Sequence, residues 1–238
     1  MNETINAANE NSPEAVALFD EIWTELETEL GRDALTFPRE IFWLNGAPGA
    51  GKGTQTPAIM RELGCKTAPI VISDLLQTPK MQAIKAKGKL VGDRDVIPLL
   101  FHKLVEPEFR DIVIVDGFPR TAGQVACLKL LKKKLDALHA AEPEKFSAPS
   151  FNIFVLFVSE QESIARQLRR GREMKARGEA VRETDVDPEK TRKRYRVFKQ
   201  QTLEPLESLK GVFPYFCVEG DGSIEETSEK IHKLLSAR

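Results

Sequence analysis

The stretch FWLNGAPGAGKGTQ, Phe42 to Gln55, constrains the fold of this chain more than any other. A short apolar run leads into Gly46, Gly49, Gly51 and Gly53, and Thr54 with Gln55 opens a helical pattern. Glycines let successive backbone N–H groups turn inward around a phosphate, and the N-terminus of the following helix adds its positive dipole end. Lys52 would then reach the outer phosphates. A strand before the loop and a helix after it make an ordinary glycine-rich turn a poor explanation. One residue departs from the common form: Gly53 stands where Ser or Thr usually ligates magnesium. If a nucleotide binds, another residue must hold the metal.

The rest of the chain repeats the same alternation. Short runs rich in Val, Ile and Phe occur at IFWLN from Ile41, APIVI ending at Ile72, DIVIV from Asp111, NIFVLFV from Asn152 and VFPYFCV from Val212. Longer helical patterns separate them. Val125, Leu128, Leu131, Leu135 and Leu138 form a stripe at helical spacing, and Ser223 with Glu226 spells a capping box for a last helix through Ile231 and Leu235. Strands alternating with helices predict a parallel sheet covered on both faces, with ligands at the carboxyl ends of the strands. AAEPEKFSAPS from Ala140 reads as a surface loop.

Residues 1–11 are polar and read as a mobile leader. From Ser12, a helix is expected: Ser12 caps, Pro13 takes the first helical position, and Val16, Phe19, Trp23, Leu26 and Leu30 recur at helical spacing until Gly31. Its apolar stripe packs on its own domain or, alternatively, forms a dimer or partner contact. The leader lacks both the basic start and the apolar run of a secretory signal, and no stretch is apolar enough to span a bilayer. Cys65, Cys127 and Cys217 are too few for a disulfide framework and are expected to be reduced, buried residues. The expectation is a cytoplasmic protein with no membrane partner.

With 238 residues and a net charge of −1, the chain has material for a large core and no global reason to bind nucleic acid. Its charge is uneven: acidic residues crowd Asp20 to Glu29, and basic ones crowd Arg166 to Lys199. The basic run reads either as a solvated helix face or as a functional cluster. DIVIVDGFPR ends a strand on Asp116, which a parallel sheet would set beside the glycine loop. There it could hold Mg²⁺ through water, since that ion sheds water reluctantly; the alternative is a simple turn former before Gly117.

GAPGAGKGTQ, GKLV at Gly88 to Val91, and DGFPRTAGQ at Asp116 to Gln124 together resemble the adenylate kinase family of nucleoside monophosphate kinases. The resemblance runs from about Ile41 to the C-terminus. It implies a five-stranded parallel sheet flanked by helices, here behind an N-terminal extension, 1–38. Within the kinase domain, 39–238, it implies a monophosphate-binding insertion at about 73–105 and a short lid at about 171–187, which without cysteines cannot bind zinc. It further implies that Gly49, Ala50, Gly51, Lys52, Gly53 and Thr54 wrap the ATP phosphates, with Mg²⁺ as cofactor, and that the turn at Ile224 meets adenine. Arg120, Arg166, Arg170, Arg182 and Arg194 would join Lys52 as the catalytic cations, Arg166 and Arg170 on the ATP phosphates. The monophosphate would meet Ile72, Gln77, Lys89, Leu90, Val91, Gly117, Phe118, Pro119, Arg120 and Gln124, with Arg182 and Arg194 from the exit of the lid. The molecule is expected to be a monomer, although its N-terminal helix could mediate a dimer.

The acceptor site departs from the family pattern. Gln77 stands where a second phosphate-binding arginine is expected, and Ile72 and Ser73 replace a Thr-Gly pair that helps select adenine. Lys80 or a neighbouring cation would have to compensate. The implied reaction is ATP + AMP = 2 ADP; a UMP- or CMP-type kinase and a non-catalytic ATP-binding module are the alternatives. The histidines, His102, His139 and His232, have no metal or triad spacing, and Trp23 and Trp43 read as core.

Overall fold

Five parallel strands in the order β2-β3-β1-β4-β5 form the centre of the molecule. The structure, a computed structural model, describes residues 10–87 and 89–238, so most of the polar leader and Gly88 of the GKLV motif lie outside the described residues. The strands are β1 (Glu40–Gly46), β2 (Ile70–Val71), β3 (Ile112–Asp116), β4 (Ser150–Phe157) and β5 (Tyr215–Glu219). Helices alternate with them: α1 (Pro13–Leu30), α2 (Lys52–Leu63), α3 (Ile72–Leu75), α4 (Pro79–Ala86), α5 (Asp93–Leu104), α6 (Ala122–Ala141), α7 (Glu160–Ala176), α8 (Pro188–Val197), α9 (Glu204–Glu207) and α10 (Ile224–Ser236).

The central strands β1, β3 and β4 are buried on both faces because they are apolar over most of their length, with Asn45 and Asn152 among the buried polar exceptions. Ile41 and Trp43 of β1 face one core with Val113, Val115, Phe151 and Ile153; Phe42 and Leu44 face a second with Ile114, Phe154 and Leu156. The period of two along each strand splits one apolar run between two layers. Two expected strands are shorter than their apolar runs. β2 ends at Val71 and Ile72 begins α3; β5 starts only at Tyr215, after a turn at Gly211 (φ 79°) and Pro214. Cys65 and Cys127 are buried, but Cys217 is exposed, against expectation. The reason is topological: β5 is an edge strand paired only with β4, and one of its faces is left open.

The N-terminal helix packs on its own domain. Ser12 accepts a hydrogen bond from Ala15 N, Pro13 occupies the first turn, and Gly31 ends the helix at φ 80°. Its buried face is Ala15, Leu18, Phe19, Ile22, Trp23 and Leu26; Leu30, counted in the expected stripe, is exposed. Phe19 meets Phe101 of α5 edge-on at 6.1 Å, and Trp23 stacks on Phe37 at 6.0 Å. Lys134 of α6 covers the Trp23 ring. Trp43 is likewise core, against Phe118 and Phe151. Among the described residues no helix is long and apolar enough to cross a membrane.

Candidate active site

The carboxyl end of the sheet gathers many, but not all, of the residues singled out by sequence. After Gly46, the chain turns through Gly49 (φ 75°) and Gly51 (φ 84°), and Gly51 caps α2. A Cβ on Gly49 would lie 2.9 Å from Ser163 O, so the loop is pressed against α7, where Ser163 Oγ also donates to Pro48 O at 2.6 Å. Gly53 and Thr54 remain exposed at the start of α2, with their amide groups at its positive end. Lys52 Nζ folds back to donate to Gly46 O at 3.0 Å.

Register decides the position of Asp116. β1 and β3 pair with Leu44 opposite Asp116, and Gly117 N donates to Leu44 O at 2.8 Å, so the carboxylate lies beside the loop. Asp116 Oδ1 is buried with no hydrogen-bond partner among the described residues. A buried carboxylate oxygen in that condition is costly unless water or a cation meets it. The donor therefore fits a hydrated Mg²⁺, held through water as the missing loop hydroxyl requires.

Around this carboxylate lies a cluster of cations. Burial pushes Lys52 down to about 8, with Asp116 opposing and Arg120, Arg194 and Arg170 adding to the depression. Arg120 is lowered by burial, with Asp116 opposing and Arg182 adding. Arg194 falls to about 10 through burial and then Arg182, against Asp185. Lys52, Arg120, Arg170, Arg182 and Arg194 thus feel one another's charge. Such crowding is unfavourable by itself and is relieved by an anion placed among them.

Two of these arginines are tied back. Arg170 Nη2 donates to Asp185 at 2.7 and 2.8 Å, Arg170 Nε adds a bond at 3.1 Å, and Arg194 Nη1 approaches the same carboxylate at 3.3 Å. Asp185 is buried, and Arg194 Nη1 also donates to Gln167 Oε1 at 3.1 Å. Gly171 permits this, since a Cβ there would overlap the Asp185 carbonyl. Arg182 is exposed on the connecting segment. Arg166 stands apart from the cluster: it donates to Glu162 at 2.6 Å and to Gly220 O and Gly222 O at 2.7 and 3.0 Å. It braces the turn before α10 instead of pointing at Lys52. At that turn Ile224 is exposed, and its carbonyl accepts from Gln55 Nε2 at 2.9 Å. The basic run is therefore divided, because Arg169, Arg177 and Arg192 pair with surface carboxylates as a solvated face would.

The second half of the site is a cleft between α3, α4, α5 and the turn after β3. Ile72, Lys89, Leu90, Val91, Gly117, Arg120 and Gln124, all expected there, line it. Phe118 does not; it is buried against Trp43. Pro119 turns its carbonyl to Asn45 Nδ2 at 2.8 Å, and Arg120 O accepts from Thr202 Oγ1 at 2.8 Å. Thr202 sits in a π-helical stretch, Phe198–Leu203, that brings the hydroxyl there. Gln124 Oε1 accepts from Arg120 N, and Gln124 Nε2 donates to buried Asp93. Gln77 is absent from the cleft: it donates to Asp74 O at 2.6 Å and accepts from Gln82. Lys80 is also outside, with a side chain 77% exposed and an ammonium 4.0 Å from Asp95. Lys85, which sequence reading passed over, lines the cleft instead. A signal existed: Lys85 follows buried Met81 by four residues on α4, hence on the same helix face. For Asn45, Ser163, Gln167 and Thr202, no local pattern marks a link to the site.

A family model described as AAA domain matches residues 45–186. The adenylate kinase of Deinococcus deserti is 34% identical over 198 residues, covering 79% of this chain and 92% of that protein. The adenylate kinase of Azorhizobium caulinodans is 32% identical over 203 residues, covering 81% and 96%. Among solved structures, a deoxyadenosine kinase from M. mycoides with bound dATP aligns over 83% of this chain and 99% of its own, with 17% identity and a TM-score of 0.50.

Proposed function

This chain belongs to the adenylate kinase family, and from that premise we propose that it is a nucleoside monophosphate kinase carrying a phosphoryl group from MgATP to AMP. The observation that carries the reading is the convergence of Lys52, Arg120, Arg170, Arg182 and Arg194 around Asp116, between the glycine loop and the cleft. In this reading the loop from Gly49 to Thr54 binds the ATP phosphates, with Ile224 and the turn braced by Arg166 near the base. The cleft takes the monophosphate, its phosphate toward Arg120 and its base toward Gln124. Asp116 would hold magnesium through water, and the ion when bound would neutralise phosphate charge.

The acceptor is a phosphate oxygen, already ionised, so no general base is needed. The residues must align donor and acceptor, exclude water and stabilise charge on the moving group. Guanidinium forks suit this, since each can bridge two oxygens. Residues 73–105 act as the monophosphate-binding insertion and 171–187 as the lid; Arg170, Arg182 and Arg194 reach the phosphates when the lid closes, and Asp185 holds two of them until then. The N-terminal helix spends its apolar face on α5 and α6, which supports a monomer. A cytoplasmic setting belongs to the same reading.

Ile72 and Ser73 line the cleft, so a pyrimidine monophosphate is the second reading. Product analysis with MgATP and each of AMP, CMP, UMP and GMP, with Lys52→Ala as control, separates the two. ADP from AMP, lost in the control, is the expected result. No diphosphate from any acceptor, with ATP still bound, would leave only a nucleotide-binding module.

A further inference from the structure

Besides Arg120 and the exposed Lys89, the acceptor cleft has a third cation, half-buried, and it is not at the position where the family pattern has an arginine. Gln77 satisfies its side chain locally with Asp74 and Gln82. Lys80 lies in solvent near Asp95. Lys85, one turn further along α4, crosses the cleft: its ammonium donates to Ser73 O at 2.7 Å, bridging α4 to the first turn of α3. That bond uses one of three N–H donors, and the other two are available to a ligand. The same cleft holds Arg120, and apolar side chains of Ile72, Leu76, Leu90, Val91 and Val96 form its walls.

We propose that Lys85 anchors the acceptor phosphate opposite Arg120, taking over the work of the arginine that Gln77 replaces. The proposal rests on the kinase reading above for the identity of the ligand, but its physical basis is independent of catalysis. Burial and then the charges of Arg182 and Arg120 depress Lys85, with Asp74 opposing. A phosphate dianion between Lys85 and Arg120 would relieve that repulsion, whereas an uncharged nucleoside would not. The contact is thus specific to the phosphate, and a lysine makes it as a point charge, without the two-pronged geometry of an arginine. Ser73, noted from sequence for its departure from the family pattern, has a defined part: its carbonyl fixes the ammonium over the cleft.

The test is equilibrium binding of the four nucleoside monophosphates and their parent nucleosides to the full chain without ATP, taking the base that binds best. Lys85→Gln keeps the length and removes the charge; it is expected to weaken the monophosphate about tenfold to a hundredfold, the range for one charge-assisted contact. Binding of the nucleoside should stay within about twofold of wild type. Lys85→Arg should retain most of the affinity, and Lys80→Gln and Gln77→Ala should leave it unchanged. The proposal is overturned if Lys85→Gln binds the monophosphate like wild type, if it loses monophosphate and nucleoside by the same factor, or if wild type holds the two equally. Failure of the kinase reading would look different: the preference for monophosphate over nucleoside would persist and depend on Lys85, while no diphosphate formed with MgATP.

Discussion

Replacing Gly171 with alanine sets two well-known effects against each other. Gly171 lies inside α7, more than one turn before its end at Ala176, and alanine in place of glycine in a helix interior ordinarily stabilises by about 1 kcal/mol. Here the new Cβ would overlap Asp185 O and fall 2.7 Å from Asp185 C, against the 3.4 Å at which ordinary contact begins. The obstacle is backbone, and the approach to Asp185 O is the tighter of the two, so α7 and the segment Glu183–Asp185 must part by about 1 Å or more. Overpacking of that kind costs about 1–3 kcal/mol. The separation also stretches the Arg170 bonds to Asp185, now 2.7–3.1 Å, beyond hydrogen-bonding distance. Arg170 is partly exposed, so its share of that loss is screened and amounts to about 1 kcal/mol. Set against the helix propensity, the net is a destabilisation of about 1–3 kcal/mol, or a fall in Tm of roughly 2–12 °C for a domain of this size. Thermal melting by circular dichroism reads it directly. A Gly171→Ala protein that melts at or above the wild-type temperature would refute the close approach of α7 to Asp185, and with it the account of how these arginines are held.

Two further outcomes are expected. Lys52 is pushed down to about 8 by burial, against an unfolded value near 10.4, so between those limits the folded chain has lost a proton that the unfolded chain keeps. The direction is therefore that the cost of burying this charge is present below pH 8 and is relieved as pH rises; ATP, by restoring a partner, should bind with proton uptake at about pH 8.5, measured by calorimetry in buffers of differing ionisation enthalpy, and Lys52→Arg should abolish the uptake. Trp23→Ala removes the largest buried side chain of α1 and should destabilise by about 3–5 kcal/mol; denaturant unfolding that shows less than 1 kcal/mol would mean that α1 is not part of the core.

Much of the fold could be read locally. The capping box at Ser223 and Glu226 is formed as written, and every residue of the α6 stripe from Val125 to Leu138 is buried. Ser12, Pro13 and Gly31 bound α1 as expected, although its buried face is centred on Leu18, Ile22 and Leu26 and leaves Leu30 in solvent. Where reading faltered, the missing information was about neighbours. Cys217 looks like any small apolar strand residue, and only the place of β5 at the sheet edge exposes it. Phe118 sits within a binding motif, yet its ring goes to Trp43.

The amino-acid sequence by itself determined the α/β alternation, the glycine loop between β1 and α2, and the family, because these depend on periodicity, capping and turn chemistry within a few residues of one another. Only the tertiary structure decided which cations meet. Arg166 and Arg170 are one helical turn apart, yet one braces the turn after β5 and the other binds Asp185. Gln77, Lys80 and Lys85 lie within nine residues, and only Lys85 of the three lines the acceptor cleft. Charge acts through space across elements that the chain brings together by folding, so the partner of a charged side chain is settled by register and packing and not by its neighbours in sequence.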